Sequence, residues 1–228
     1  MIISHRHKFI FIRTKKTAST SLHIALSGIC GAEDIICPLT QKDEEIKKKM
    51  GIPTAQNFRY LVTEQLEEGR IEKPVIRQYF NHMPASMIKN LVGNELWDSY
   101  YKFAFDRNPF DKVVSFYHWR KRKKDVNFNS ISEMIKMGEL QHIQGYQRYS
   151  IDSLVAVDDV FKYEEMEPAL QKISQILALD IPLKLPDYRA KSMVRPAFTD
   201  YRDILSDEDR RIIEIVFARE IKLLGYQF

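Results

Sequence analysis

A lysine and a run of small hydroxyl residues follow an apolar segment near the start of the chain. Residues 9–12 read Phe-Ile-Phe-Ile, and residues 13–21 read Arg-Thr-Lys-Lys-Thr-Ala-Ser-Thr-Ser. Lys16 offers a mobile positive charge, and the hydroxyl side chains at 19–21 are short enough to let a ligand approach the backbone. This combination is typical of a site for a phosphate-like anion.

Two flanking elements must position this segment. The apolar run at 9–12 predicts a strand buried on both faces of a parallel sheet, and the apolar residues at 22–26 predict a helix. The first-turn N–H groups of such a helix have no intrahelical partners and lie at its positive dipole end, so they suit phosphate oxygens. The Gly-x-x-x-x-Gly-Lys-[Ser/Thr] motif of nucleoside-triphosphate loops is absent. A capped helix start with a solvated lysine would show the same pattern.

A second strand-to-helix junction lies at residues 103–111, which read Phe-Ala-Phe-Asp-Arg-Asn-Pro-Phe-Asp. Asn108 can cap the helix, and Pro109 suits its first position. Ser115 follows Pro109 by about 9 Å along a helix, so Arg107 and Ser115 can share one anion. The alternative interpretation pairs Arg107 with Asp106 or Asp111.

Two such sites in one chain imply a ligand with two spaced phosphate-like groups. The guanidinium fork of Arg107 matches two oxygens of a phosphate group. Lys16 and the neighbouring hydroxyls suit the second group. Adenosine 3′,5′-bisphosphate has this layout.

Both segments resemble motifs of one enzyme family. Residues 13–21 are similar to the 5′-phosphosulfate loop of sulfotransferases that use 3′-phosphoadenosine 5′-phosphosulfate (PAPS), and residues 107–117 resemble their 3′-phosphate motif, Arg-x-Pro-x-x-Arg-x-x-Ser-x-Tyr. The likeness is greatest to Golgi-type carbohydrate sulfotransferases of the uronyl and heparan 2-O group. It implies an α/β fold, a P-loop-NTPase-like parallel sheet flanked by helices, and transfer of sulfonate from PAPS to a carbohydrate hydroxyl without a metal.

The resemblance also assigns roles to residues. Lys16 would contact the bridging oxygen of the leaving phosphate, and Arg107 and Ser115 would hold the 3′-phosphate. A basic loop near residue 190 commonly touches the same phosphate in this family, and a solvated surface loop is the alternative interpretation there. The implied donor-binding residues are Lys15, Lys16, Thr17, Ala18, Ser19, Thr20, Ser21, Arg107, Ser115, Arg189, Lys191 and Ser192.

His82 is the candidate general base, because it lies between the two phosphate motifs, where the family usually places its catalytic histidine. An unperturbed histidine titrates near about 6.5. A loop histidine satisfied by the backbone is the alternative. The rival bases are His142, in a region of no clear pattern, and His23 and His118, which fall within helical stretches.

Two positions depart from the family pattern. Lys112 replaces the second arginine of the 3′-phosphate motif, and Phe80 replaces the first histidine of a His-x-His pair. Either one histidine suffices, or the acceptor differs. These departures leave open a non-catalytic nucleotide- or glycan-binding protein. A P-loop kinase-like phosphotransferase is the other alternative, which the missing glycine motif and the lack of a clear magnesium-holding acid after a strand disfavour.

Bulk properties favour one compact α/β domain over residues 1–228, since the chain has 228 residues and a formal charge of only +4. Cys30 and Cys37 fit no metal or redox spacing and are expected to be buried free thiols. The basic run at 120–124 is expected to be solvated surface and not a nucleic-acid site, with Phe116 and Trp119 facing the core.

Further patterns along the chain complete the prediction. Residues 154–157 predict a strand of the main sheet, residues 166–179 a helix, and residues 207–224 a long helix capped by Ser206. The polar stretch 38–75 is the expected acceptor-side insert. The apolar run near the N-terminus is too short for a signal peptide or membrane span, so a cytoplasmic location without a membrane anchor is expected.

Overall fold

The computed structural model describes residues 1–65, 72–123, 125–187 and 200–228. Strands, in chain order, are β1 Ile2–Ser4, β2 Phe9–Ile12, β3 Ile35–Ile36, β4 Arg59–Gln65, β5 Glu72–Gln78, β6 Tyr101–Asp106, β7 Ser150–Ile151, β8 Leu154–Val155 and β9 Asp159–Lys162. Helices are α1 Ser19–Ser27, α2 Gln41–Lys49, α3 Ala85–Ser99, α4 Pro109–Arg120, α5 Ile131–Lys136, α6 Tyr146–Tyr149, α7 Met166–Ile176, α8 Asp207–Val216 and α9 Ala218–Leu224.

The central sheet has five strands in the order β3-β1-β2-β6-β9. Strands β2, β6 and β9 are parallel to one another, whereas β1 and β3 pair antiparallel. The predicted α/β fold with a helix-flanked sheet is confirmed, with parallel pairing confined to three strands. Because parallel strands end at the same edge of a sheet, the loops after β2, β6 and β9 meet there.

The unbroken apolar run of β2 serves two cores. Phe9 and Phe11 pack on one face of the sheet with α1 and α7, while Ile10 and Ile12 pack on the other face with α3. All four side chains are fully buried. Since successive strand residues point to opposite faces, a strand covered on both sides must be apolar at every position.

Two sequence predictions about elements were wrong in detail. Residues 154–155 form a small exposed hairpin with β7, and the third parallel strand is β9, a few residues later. The long C-terminal helix is divided at Phe217 into α8 and α9. Ser206 does cap α8, in a capping box with Asp209.

The stretch expected to contact the acceptor contains a separate two-stranded sheet. Strands β4 and β5 pair antiparallel, from Arg59 opposite Gln78 onward, and do not join the central sheet. No helix among the described residues is long and apolar enough to cross a membrane. Cys30 and Cys37 are buried and free, as predicted.

Candidate active site

A cavity of about 1070 Å³ opens at the carboxyl edge of the three parallel strands. Arg13, Arg107 and Tyr163, each the first residue after its strand, all line it. Its lining residues are Arg13, Lys15, Lys16, Thr17, Ala18, Ser19, Thr20, Ser21, His82, Arg107, Ser115, Phe116, Trp119, Tyr163, Glu164, Met166, Leu185, Pro186 and Asp187. The structure therefore places the lysine loop, Arg107, Ser115 and His82 on one cavity.

The loop between β2 and α1 is wound by two residues in the left-handed region. Lys16 has φ of 68° and Ala18 has φ of 50°. Ala18 is the N-terminal cap of α1, and its side chain makes no capping hydrogen bond. The first turn of α1 therefore has no side-chain cap from Ala18, and its residues 19–21 line the cavity. An uncapped helix start beside a cavity is the arrangement that an anion satisfies.

Thr14 joins this loop to the neighbouring parallel strand, and Thr17 supports Thr14 from within the loop. The hydroxyl of Thr14 donates to the carbonyl of Phe105 in β6 and lies 3.0 Å from the hydroxyl of Thr17. Both threonines are buried. The hydroxyl of Thr17 is thus engaged inside the loop, although Thr17 lines the cavity together with Ser19, Thr20 and Ser21.

Arg13 organises the floor of the cavity. Its guanidinium donates to Asn81 Oδ1 at 2.5 Å, to Thr20 Oγ1 at 3.2 Å and to Ser19 Oγ at 3.4 Å. Burial lowers the pKa of Arg13 to about 10, so the side chain is still cationic at neutral pH. A fixed positive charge therefore lies beneath the hydroxyl cluster.

Arg107 connects the two predicted anion segments. Its Nη1 donates to the carbonyl oxygen of Lys16 at 3.1 Å. Its Nε and Nη2 donate to the same oxygen of Asp111, at 2.8 and 2.5 Å. Arg107 thus makes the ion pair with Asp111 that the alternative interpretation foresaw, and it still lines the cavity beside Ser115.

Lys112, the residue that departs from the family motif, does not line the cavity. Its Nζ lies 2.6 Å from Asp106 Oδ1, and both side chains are fully buried. Tyr149 donates to the second carboxylate oxygen of Asp106 at 2.9 Å. The substitution at this motif position therefore belongs to the protein interior, behind Arg107.

His82 is held with one ring nitrogen turned inward. Its Nδ1 lies 3.1 Å from the carbonyl oxygen of Arg13. A carbonyl can only accept, so Nδ1 carries the proton and Nε2 is left as the proton acceptor. Burial, followed by the charge of Arg13, lowers the pKa of His82 to about 3, which keeps the ring neutral at physiological pH.

The rival histidines lie elsewhere in the structure. His23 is fully buried in α1 beside Ser27, and burial lowers its pKa well below the ordinary value. His118 lies in α4 and packs edge-on against Tyr117, and His142 is exposed in a short 3₁₀ segment. None of the three lines the cavity described above.

Aromatic and cationic side chains form the remaining wall. Lys16 Nζ lies 5.5 Å from the centre of the Trp119 ring, within cation–π range. Phe116 is buried and stacks on Trp119. The expectation that both rings face the core is correct, because the half-buried Trp119 packs against the same apolar cluster as Phe116, and both rings also line the cavity. Burial and the charge of Arg148 lower the pKa of Lys15.

Sequence comparison identifies the family. A sequence model described as the sulfotransferase family matches residues 1–227. The chain belongs to the sulfotransferase family. This sulfotransferase is 40% identical over 102 residues to an uncharacterised protein of Archaeoglobus fulgidus, an alignment that covers 42% of this chain and 83% of that protein.

A solved structure shares the fold of this sulfotransferase. The crystal structure of mouse sulfotransferase SULT7A1 complexed with PAP superposes with a TM-score of 0.54 and 14% sequence identity. The superposition covers 96% of this chain and 86% of the mouse chain. At that identity the likeness concerns the fold, and it agrees with the helix-flanked sheet described above.

Sequence reasoning missed part of this sulfotransferase's cavity. Arg13 was visible as the first residue after a buried strand, but it was not placed in the site. Tyr163 and Glu164 were missed because the third parallel strand was predicted several residues too early. Leu185, Pro186 and Asp187 line the cavity, whereas Arg189, Lys191 and Ser192, from the same predicted basic loop, lie outside the described residues.

Proposed function

We propose that this enzyme transfers sulfonate from PAPS to a hydroxyl group of a carbohydrate acceptor. The observation that carries the proposal is the hydrogen bond from Arg107 to the carbonyl of Lys16, which brings the two anion segments onto one cavity. A cavity of about 1070 Å³ is large enough for a nucleotide and part of an acceptor. The likeness of residues 13–21 and 107–117 to carbohydrate sulfotransferases supports the acceptor class.

On the donor side, the first-turn amides of α1 and the hydroxyls at 19–21 would bind the 5′ group. Arg107 and Ser115 would bind the 3′-phosphate. Lys15 and Lys16 add positive charge where the bridging oxygen becomes negative. Preorganised charge of this kind is the main source of catalysis when the reaction needs little covalent help from the protein.

On the acceptor side, His82 would take the proton of the attacking hydroxyl at Nε2. The new bond forms between that oxygen and sulfur, the bond from sulfur to the bridging oxygen breaks, and the electron pair remains on the bisphosphate near Lys16. A bound anionic donor would raise the pKa of His82 from its low value, since negative charge offsets Arg13 and Lys15.

Calorimetry with adenosine 3′,5′-bisphosphate tests the donor site. We expect micromolar or tighter binding by the wild type, weaker binding of ATP, and at least about tenfold weaker bisphosphate binding by Arg107→Ala. Arg210→Ala is the matched control, because Arg210 forms an exposed ion pair with Glu214 four residues later on α8, as Arg107 does with Asp111 on α4. Equal binding by wild type and Arg107→Ala would refute this donor site.

Sulfonate transfer from PAPS to a library of hydroxyl-bearing glycans tests the chemistry. We expect His82→Asn to lower kcat by about 10²–10⁴-fold while bisphosphate affinity stays unchanged, because a general base acts only in the chemical step. Asparagine tolerates the left-handed backbone at this position, where φ is 63°. Transfer at the wild-type rate by this variant would exclude His82 as the base.

A further inference from the structure

The contacts around Arg107 assign a function to a residue outside the cavity lining. We propose that Asp111 is a positioning residue that holds Arg107 so that two N–H groups of its guanidinium point together at the 3′-phosphate. This inference rests on the proposed donor site. The inference concerns the orientation of the Arg107 guanidinium before the ligand binds. The identity of the residue as an arginine does not fix that orientation.

Three groups fix the guanidinium from different sides. Asp111 accepts from Nε and Nη2, which is the side edge of the guanidinium, and the carbonyl of Lys16 accepts from Nη1. The ring of Tyr163 covers one face, with its centre 4.4 Å from Cζ. The side chain of Arg107 is only 12% exposed. Its rotamer is therefore set before any ligand arrives.

Two N–H groups of the Arg107 guanidinium are left to bind a phosphate. A guanidinium has five N–H groups. Within the described part of the chain, its side-chain contacts engage three of them, namely one on Nε, one on Nη1 and one on Nη2. The two that remain lie one on each terminal nitrogen. A guanidinium that offers one N–H group from each terminal nitrogen can bind two oxygens of one phosphate group.

The helix places the other 3′-phosphate ligand beside this fork. Asp111 is in the first turn of α4, and Ser115 lies four residues later, so both project from the same helix face. Ser115 reaches the cavity, while Asp111 stays behind Arg107 with 19% of its side chain exposed. The carboxylate thus contacts the guanidinium on the edge away from the fork.

Asp111 could instead weaken the binding of the 3′-phosphate. A carboxylate close to a phosphate site repels the ligand, and it neutralises the charge of the arginine that should attract it. If repulsion dominated, removal of Asp111 would strengthen binding. The sign of the effect of Asp111 on phosphate affinity therefore separates positioning from competition.

The test compares two ligands that differ only in the 3′-phosphate. Affinities for adenosine 3′,5′-bisphosphate and for adenosine 5′-monophosphate are measured by calorimetry on the full chain. A wild type without preference for the bisphosphate would contradict the donor site itself. Where that preference is present, the Asp111 variants test the positioning role separately.

We expect Asp111→Ala to weaken bisphosphate binding about tenfold and to leave monophosphate binding unchanged. Asp111→Asn should stay within about threefold of the wild type, because both contacts use one carboxylate oxygen, which an amide oxygen can replace. Glu214→Ala, which removes the corresponding carboxylate of the exposed pair on α8, is the control and should change neither affinity. Asp111→Ser provides a second shortened side chain if the alanine variant does not fold.

A double-mutant cycle completes the experiment. If Asp111 acts through Arg107, Asp111→Ala should have no effect on bisphosphate affinity in an Arg107→Ala background. Three results would overturn the proposal: tighter bisphosphate binding by Asp111→Ala or Asp111→Asn, an equal loss for both ligands, or an undiminished effect in the absence of Arg107.

Discussion

His82 shows how a single residue is prepared for chemistry by the backbone around it. Its left-handed conformation turns the ring toward the carbonyl of Arg13. The preceding residue, Asn81, accepts from Arg13 and donates to the carbonyl of Pro38. Hydrogen bonds therefore hold both Asn81 and His82 in place. The tautomer of His82 follows from its contact with the Arg13 carbonyl, which only an N–H group can make.

The low pKa of His82 predicts how the stability of the protein changes with pH. In the folded state the pKa is about 3, compared with about 6.5 when unfolded. Below pH 6.5 the unfolded chain binds a proton that the folded state does not, so stability falls with falling pH. The contribution of the neutral His82 to the free energy of unfolding is complete above pH 6.5 and is lost progressively as the pH falls toward 3.

Urea unfolding at pH 7.5 and pH 5.0 measures this effect. We expect the wild type to lose stability at the lower pH, and His82→Asn to lose less, because it lacks one of the groups that titrate. His23, whose pKa is also lowered by burial, accounts for part of the remaining loss. The exposed His142→Asn variant is the control and should behave as the wild type. The same loss in His82→Asn and wild type would contradict the assignment.

At the scale of elements, the site depends on the short loop between β2 and α1. The loop contains no glycine, although two of its residues adopt positive φ. A non-glycine residue in the left-handed region costs about 1–2 kcal/mol. The hydrogen bond from Thr14 to Phe105 of β6 and the hydrogen bond from Arg107 to Lys16 hold the loop in this conformation.

Replacement of Ala18 by glycine tests whether this strain is present. We expect Ala18→Gly to raise the free energy of unfolding by about 0.5–1 kcal/mol, because glycine adopts φ near 50° without a steric penalty. Ala25→Gly, in the middle of α1, is the control and should lower it by about 0.5–1 kcal/mol. Guanidinium unfolding monitored by circular dichroism measures both. A loss in both variants would show that Ala18 is not strained.

At the scale of the whole molecule, a buried polar network behind Arg107 joins the sheet to helices from distant parts of the chain. Asp106 ends β6 and pairs with Lys112 of α4 and Tyr149 of α6. Gly145 packs so closely on this carboxylate that a Cβ atom there would lie 2.0 Å from Asp106 Oδ2. Glu220 of α9 accepts from the amide of Gly145 at 3.1 Å.

Removal of one charge from this network should lower the free energy of unfolding by a large amount. We expect Lys112→Met to lower the free energy of unfolding by about 3–5 kcal/mol, since it leaves Asp106 buried without a counter-ion. The double variant Asp106→Asn, Lys112→Met should recover part of that loss, because the amide can still accept from Tyr149. Chemical denaturation measures both. If Lys112→Met lowered the free energy of unfolding by less than about 1 kcal/mol, water would have to reach the Asp106 carboxylate despite its burial.

Local sequence patterns were enough to predict the elements that carry the anion segments. The apolar run at 9–12 and the Asn-Pro start at 108–109 encode the two strand-to-helix junctions locally, through burial and capping, so both were predicted with nearly correct bounds. The family followed from the residues at these junctions. Lys16, Arg107 and His82 could be chosen because charge and residue type are visible in the sequence.

The contacts of these residues depend instead on how distant segments of the chain pack together. Which strand lies beside which, and where the third parallel strand begins, depends on pairing between segments far apart in the chain, so Tyr163 and Glu164 could not be placed from local patterns. From the sequence, Arg107 could pair with either Asp106 or Asp111. Helix α4 places Asp111 at the side edge of the Arg107 guanidinium. The place of Lys112 also depended on packing, because it departs from the family motif in the sequence and its ammonium group is fully buried against Asp106 in the structure.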